Sequence, residues 1–187
     1  MTRLKGTVHM ADIKVLALVG SLRAASINRQ LAELAAESAP DGVTVTVYEG
    51  LGGGLGELPF YNEDIDTDDA PAAVAALRAA AGDADAALVV TPEYNGSIPG
   101  VLKNAIDWLS RPYGNGALKD KPLAVVGAAL GQYGGVWAHD ETANRSGSPD
   151  RGWSSRSRCR CPPPPSTAST RGRARSWSPR CVRQSEW

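Results

Sequence analysis

The chain has 187 residues and is short of the residue types on which much protein chemistry relies. Phenylalanine occurs once, histidine and methionine twice each, and cysteine three times. His9 and His139 have no second His or Cys at ligand spacing, so no metal site is legible. No Ser/His/Asp or Cys/His arrangement stands out, and no side chain is assigned a catalytic role. A run of about 18 apolar residues is missing, which argues against a membrane-spanning helix. Met1 to Met10 lacks the apolar centre of a secretion signal. Together with free cysteines this gives a reducing cytoplasm as the expected compartment.

The formal net charge is also zero, but it is split very unevenly. Residues 1–143 carry 10 Lys+Arg against 18 Asp+Glu, a net of −8. Residues 144–187 carry 10 Arg against Asp150 and Glu186, a net of +8. This last segment has no Leu, Ile, Met or Phe, and Val182 is its only branched aliphatic residue. It holds all three cysteines (Cys159, Cys161, Cys181), ten serines and the run Pro162 to Pro165. Such a composition cannot bury enough apolar surface to offset the entropy of ordering it. Three organisational units are expected: a flexible extension over 1–11, a folded domain over 12–143 and a disordered tail over 144–187. The tail's arginines are not read as a nucleic-acid surface. Cys159 and Cys161 lack the two-residue spacing and the fourth ligand of a zinc site. An abrupt change to Arg, Ser, Pro, Cys and Trp is what a coding frameshift in GC-rich DNA produces. The tail is read that way, with the slip near residue 143.

The first 142 residues alternate apolar runs with helical periods, the order of an α/β domain. Strands are predicted over Ile13–Val19, Val43–Tyr48, Ala86–Val90 and Leu123–Gly127. Helices are predicted over Asn28–Ser38, Pro71–Ala81 and Gly100–Leu109, and a loop follows the fourth strand. On the third helix Lys103 and Asp107 sit four apart and are expected to pair. Trp108 and Leu109 are expected in the core or at a dimer contact.

Two strand-to-helix loops stand out. After the first strand come Gly20-Ser21-Leu22-Arg23-Ala24-Ala25-Ser26-Ile27-Asn28. Ser21, Ser26, Asn28, Arg23 and the N–H groups of a helix start make a donor-rich turn suited to a phosphate. Arg29 is a second candidate cation, and capping of the helix by Ser26 or Asn28 is the purely structural alternative. The turn has neither the Gly-Lys-Ser/Thr of a Walker loop nor the glycines of the dinucleotide fingerprint. After the third strand come Pro92-Glu93-Tyr94-Asn95-Gly96-Ser97-Ile98-Pro99-Gly100. Two prolines stiffen this loop and two glycines let a flat ligand approach its backbone.

Taken with Val101-Leu102-Lys103-Asn104-Ala105-Ile106-Asp107, these loops resemble the NADPH-dependent FMN reductase family, which includes quinone, azo-dye and chromate reductases. Leu58 to Asp64 and Gly131-Gln132-Tyr133-Gly134-Gly135 resemble two further recurring segments. The resemblance runs from about Ile13 to about Thr142. It implies a flavodoxin-like, doubly wound parallel sheet of order 2-1-3-4-5. A last strand and helix are expected in that fold, but the tail does not supply them. The resemblance also implies FMN as cofactor and NADPH or NADH as co-substrate. Ser21, Arg23, Ser26 and Asn28 would hold the phosphate. Pro92, Glu93, Tyr94, Asn95, Gly96 and Ser97 would line the ring and ribityl chain, and Gly131, Tyr133 and Gly134 would close the ring from the other side. Ala128-Ala129 stand where relatives often carry Ser or Thr.

The implied reaction passes hydride from NAD(P)H through flavin N5 to a flavin, a quinone or a similar small acceptor. Backbone N–H groups around Tyr94–Ser97 or Gly131–Gly134 would stabilise negative charge on the reduced ring. A homodimer or homotetramer is implied too. The alternatives are a flavodoxin-type electron carrier without NAD(P)H activity and an inactive frameshifted product.

Overall fold

A computed structural model of the chain describes residues 12–146 and 154–158. Five parallel strands form one sheet of order β2-β1-β3-β4-β5. They are β1 Ile13–Val19, β2 Val43–Val47, β3 Ala86–Val90, β4 Pro122–Val126 and β5 Ser154–Arg158. The crossovers run through α1 Ile27–Glu37, α2 Ala72–Asp83, α3 Gly100–Leu109 and α4 Val136–Ser146. Two single 3₁₀ turns, Gly54–Glu57 and Glu63–Ile65, interrupt the long passage from β2 to α2.

The near-continuous apolar runs of β1, β3 and β4 reflect burial on both faces. Leu16, Leu18, Ala87, Val89, Leu123 and Val125 point to one face and join the main core. There they meet Val74 and Leu77 of α2, Leu102, Ala105, Ile106 and Leu109 of α3, and Ala138 of α4. Leu77, Leu102 and Leu109 are fully buried. Each such side chain stabilises the fold by about 1.5–3 kcal/mol relative to exposure. Ala17, Val19 and Val90 point the other way and meet Ala32 of α1.

The expected pairing of Lys103 with Asp107 is present at 2.6 Å. Trp108 belongs to the core: its Nε1–H donates to the Pro59 carbonyl at 2.8 Å and Tyr61 meets its ring edge-on at 4.9 Å. One helical turn earlier, Asn104 accepts the Tyr61 N–H at 2.8 Å and donates to the Pro59 carbonyl at 2.9 Å. α3 thereby fixes the Leu58–Tyr61 segment.

Two elements depart from the sequence reading. The loop expected after β4 contains α4, an 11-residue helix. Its composition has weak amphipathic periodicity and no Ser, Thr or Asp at its start, so the ordinary signals of a helix are missing. β5 lies within the presumed tail and pairs with β4 from Pro122↔Ser154 to Val125↔Arg158, with an irregularity at Leu123/Ala124. A run of Ser and Arg has no apolar alternation to announce a strand. The expected extension over 1–11, and the tail over 144–187 apart from 144–146 and 154–158, lie outside the described residues.

Candidate functional site

Register decides which loops meet. Val19 is level with Val90, and Val90 with Val126. The chain therefore leaves β1, β3 and β4 side by side at Gly20, Thr91 and Gly127. The Gly20 N–H donates to the Val90 carbonyl at 2.9 Å, and the Thr91 N–H to the Val126 carbonyl at 3.0 Å. This rim tolerates little bulk. A Cβ on Gly127 would lie 1.9 Å from the Thr91 carbonyl oxygen, and one on Gly20 2.8 Å from the Thr91 hydroxyl. Ligands of doubly wound sheets bind at such carboxyl-end rims.

The β1–α1 loop splits the donor cluster read from the sequence. Ser26 is buried and is the N-cap of α1, its hydroxyl accepting the Arg29 N–H at 3.3 Å. Asn28 is buried too, and both ends of its amide are used. Its Nδ2 donates to the Ala128 carbonyl at 3.0 Å, while its Oδ1 accepts the Ala128 N–H at 2.9 Å. Asn28 thus clasps the β4–α4 loop. Arg29 pairs with Glu33 and Glu49. The hydrogen bond that Arg29 donates to Glu49 leads the causes that raise its pKa further. Arg23, by contrast, is exposed and has no carboxylate partner among the described residues. The N–H groups of Ser21 through Ala25 make no hydrogen bond among the described residues. Consecutive free N–H groups at a helix start, next to an unpaired guanidinium, form an anion-binding nest.

The β3–α3 loop turns back on itself at Asn95-Gly96. Both residues have positive φ (53° and 70°), and Tyr94 and Ser97 exchange two backbone hydrogen bonds of 3.0 Å. This is the two-residue turn for which Asn-Gly is the strongest short-range signal. Both flanks of the turn are tied to α4. The Glu93 carboxylate accepts the N–H groups of Trp137 at 3.0 Å and Ala138 at 3.2 Å, capping that helix. Glu141 receives the Ser97 hydroxyl and, at 3.2 Å, the Ile98 N–H. Pro92 is buried, whereas Tyr94, Asn95 and Gly96 are exposed.

Between the first two loops lies a cleft of about 320 Å³. Gly20, Leu22 and Arg23 form one side, and Tyr94, Pro99, Gly100 and Val101 at the start of α3 the other. Gly131, Tyr133 and Gly134 do not line it. Gly131 and Tyr133 are exposed on the neighbouring β4–α4 loop, where Tyr133 meets Trp137 edge-on at 5.0 Å. The sequence reading missed Leu22, Trp137 and Glu141. Leu22 sits inside the motif already noted. Trp137 and Glu141 were hidden because the helix that carries them was not foreseen. Among the described residues no group of His, Cys, Asp and Glu is placed to hold a metal ion.

A family model described as NADPH-dependent FMN reductase matches residues 13–145. The chain is 43% identical over 122 residues to a 2-hydroxy-1,4-benzoquinone reductase of Burkholderia sp, covering 65% of this chain and 63% of that protein. It is 46% identical over 125 residues to a quinone reductase of Pseudomonas putida, covering 67% and 64% respectively. It therefore spans slightly less than two thirds of the length of these curated relatives. Among solved structures, the flavoenzyme NAD(P)H:(acceptor) oxidoreductase FerB of Paracoccus denitrificans aligns with a TM-score of 0.63 and 39% identity. That alignment covers 71% of this chain and 69% of the other.

Proposed function

This chain belongs to the NADPH-dependent FMN reductase family, and from that premise we propose that it is an FMN-dependent oxidoreductase taking electrons from NADPH or NADH to a quinone, a flavin or a similar small acceptor. The observation that carries the proposal is the nest of N–H groups from Ser21 to Ala25, unpaired among the described residues, beside Arg23, which has no carboxylate partner among them. A phosphate monoester carries about two negative charges and several acceptor oxygens, so it needs many donors in one place. Leu22, Tyr94, Pro99 and Val101 supply apolar wall next to those donors. The cleft volume falls at the lower end of the range for ligand sites, roughly 300–1,000 Å³.

FMN, when bound, supplies the redox chemistry, accepting hydride from the nicotinamide and delivering electrons to the acceptor. The chain's own groups bind and orient. Arg23 and the nest hold the phosphate at the start of α1. The N–H groups of Tyr94 and Ser97 are spent inside the turn, which leaves those of Asn95 and Gly96 to meet charge on the ring. Glu93 and Ser97 act through α4: their bonds fix where the turn stands. Asn28 fixes where the β4–α4 loop stands relative to the nest.

Exposed Leu130, Tyr133 and Trp137 at the rim support a homodimer or homotetramer in which a second copy walls the site. Among the described residues no helix is long and apolar enough to cross a membrane, and a cytoplasmic location is part of the proposal.

The test is titration of the purified chain with FMN, read by visible absorbance and flavin-fluorescence quenching, followed by NAD(P)H oxidation with a quinone and no protein partner. Saturation near one FMN per chain with turnover is the expected result. Binding without NAD(P)H oxidation would make the chain an electron carrier, and no binding would overturn the proposal.

A further inference from the structure

The two faces of the sheet are unequally covered. α2, α3 and α4 lie on the face of Leu16, Leu18, Val89 and Val125. On the opposite face α1 is the only described helix, and its Leu31 and Ala32 reach the side of β1, β2 and β3. Ala124, Val126 and Leu88 on that face stay half-buried. A doubly wound sheet places helices on both faces, so a second helix is wanted over β3 and β4.

The composition of the tail says where that helix went. Every codon for Cys and for Trp begins with TG. A reading that starts one base earlier takes the last base of the preceding codon and then TG. Those triplets are Leu, Met or Val, whichever synonymous codon precedes. Trp153, Cys159, Cys161, Trp177, Cys181 and Trp187 therefore each mark an obligate apolar residue in the overlapping frame. Serine codons of the TC type behave alike, giving Phe, Leu, Ile or Val. A tail with no Leu, Ile, Met or Phe in its own frame is thus dense in them one base away.

The spacing of these apolar residues is ordered. Cys159 and Cys161 are two apart, the period of a strand, and the next overlapping triplet reads Pro or Ser. Trp177 and Cys181 are four apart, the period of a helix. With TC-type codons at Ser178 and Ser185, the apolar positions at 177, 178, 181 and 185 share one helical face, with the obligate apolar triplet at 187 to one side of it. Strand signal precedes helix signal, the order of a strand-helix unit; among the described residues β5 already holds the fifth strand position, and the helix after it is what is lacking.

We infer that the half-covered face over Leu88, Ala124 and Val126 is the seat of an amphipathic helix that this chain's coding bases specify one base upstream of its reading frame, over the codons of residues 176–187. Loss of one base between codons 143 and 153 moved the helix out of frame. This interval brackets the end of the family match, at residue 145, and closes at the first obligate apolar triplet, read across Gly152-Trp153.

The experiment compares the 187-residue chain with a protein made after one base is inserted in that interval. Thermal unfolding and amide exchange at Leu88 and Val126 are measured on both without flavin. The restored protein is expected to melt ~10 °C or more higher, with β3 and β4 newly protected. Charging the two residues read across Ser176-Trp177 and Arg180-Cys181 should abolish that gain. An unchanged melt, a gain indifferent to those charges, or a stop codon in the overlapping frame would overturn the inference. So would equal protection in the original chain as a stable dimer, because a second copy would then occupy the face. Flavin titration of the two proteins is a separate readout: a stabilised protein that ignores FMN leaves this inference standing and sinks the proposed function.

Discussion

Arg23 and Asn28 read alike in the sequence, as two donors of one phosphate-binding turn, and the fold gives them opposite duties. Arg23 is exposed and has no carboxylate partner among the described residues, so Arg23→Ala removes a ligand contact and little else. FMN affinity should fall by roughly 10–100-fold, the worth of a charge-assisted contact of about 1.5–3 kcal/mol, while the urea midpoint stays put. Asn28→Ala instead strands the N–H and carbonyl of Ala128. Leaving such groups unsatisfied costs about 1–3 kcal/mol each, so the urea midpoint should drop whether or not FMN is present. Equal effects of the two substitutions on stability would contradict this division. The residue types of the site were legible because a glycine turn, hydroxyls and a guanidinium before a helix have few other uses. Their separate duties were not, because Asn28 finds its partner 100 residues away, and no local pattern encodes that.

At the scale of elements, β1, β3 and α3 announce themselves through apolar runs and period, whereas α4 depends on help from elsewhere. Its first N–H groups are satisfied by Glu93 from another loop instead of by a local cap. This is why sequence signals passed over it. A carboxylate at a helix N-terminus also meets the positive end of the helix dipole. Glu93→Gln keeps one acceptor oxygen and loses the charge, so it should destabilise α4 by about 0.3–1 kcal/mol. Glu93→Ala loses the cap as well, and about 0.5–2 kcal/mol is expected. Amide exchange in α4 should quicken in that order, and the quickening should spread to Asn95 and Gly96, because α4 holds the turn through Glu141. Faster exchange in α4 with an undisturbed turn would show that the two are not coupled. The Asn95-Gly96 turn itself was legible, since positive φ at two successive positions is what that dipeptide is suited to.

For the whole molecule, α/β alternation implies a parallel sheet and the family resemblance its order, and the register that aligns Gly20, Thr91 and Gly127 brings three loops to one rim. What seals this assembly on the β2 side is Tyr48, buried just after β2, with its hydroxyl donating to the Ala73 carbonyl of α2 at 3.4 Å. Burial, and then the nearby Glu57 carboxylate, raise its pKa above the ordinary 10.0. The unfolded chain ionises near the ordinary value, whereas the folded chain resists ionisation to a higher pH. A group raised in this way gives stability that is complete below the unfolded pKa and is lost as pH rises through the folded one. Lys14, raised chiefly by its hydrogen bond to Asp83, pushes in the same direction from an exposed site. The fold should therefore hold its stability up to about pH 10 and lose it steeply beyond that. Urea unfolding followed from pH 8 to pH 12, with Tyr48→Phe alongside, checks the assignment. The variant should lose little at pH 8, because a hydrogen bond of 3.4 Å is weak, and it should show a shallower alkaline decline. A decline as steep in Tyr48→Phe as in the parent would move the alkaline limit to the surface cations and away from the seal between β2 and α2.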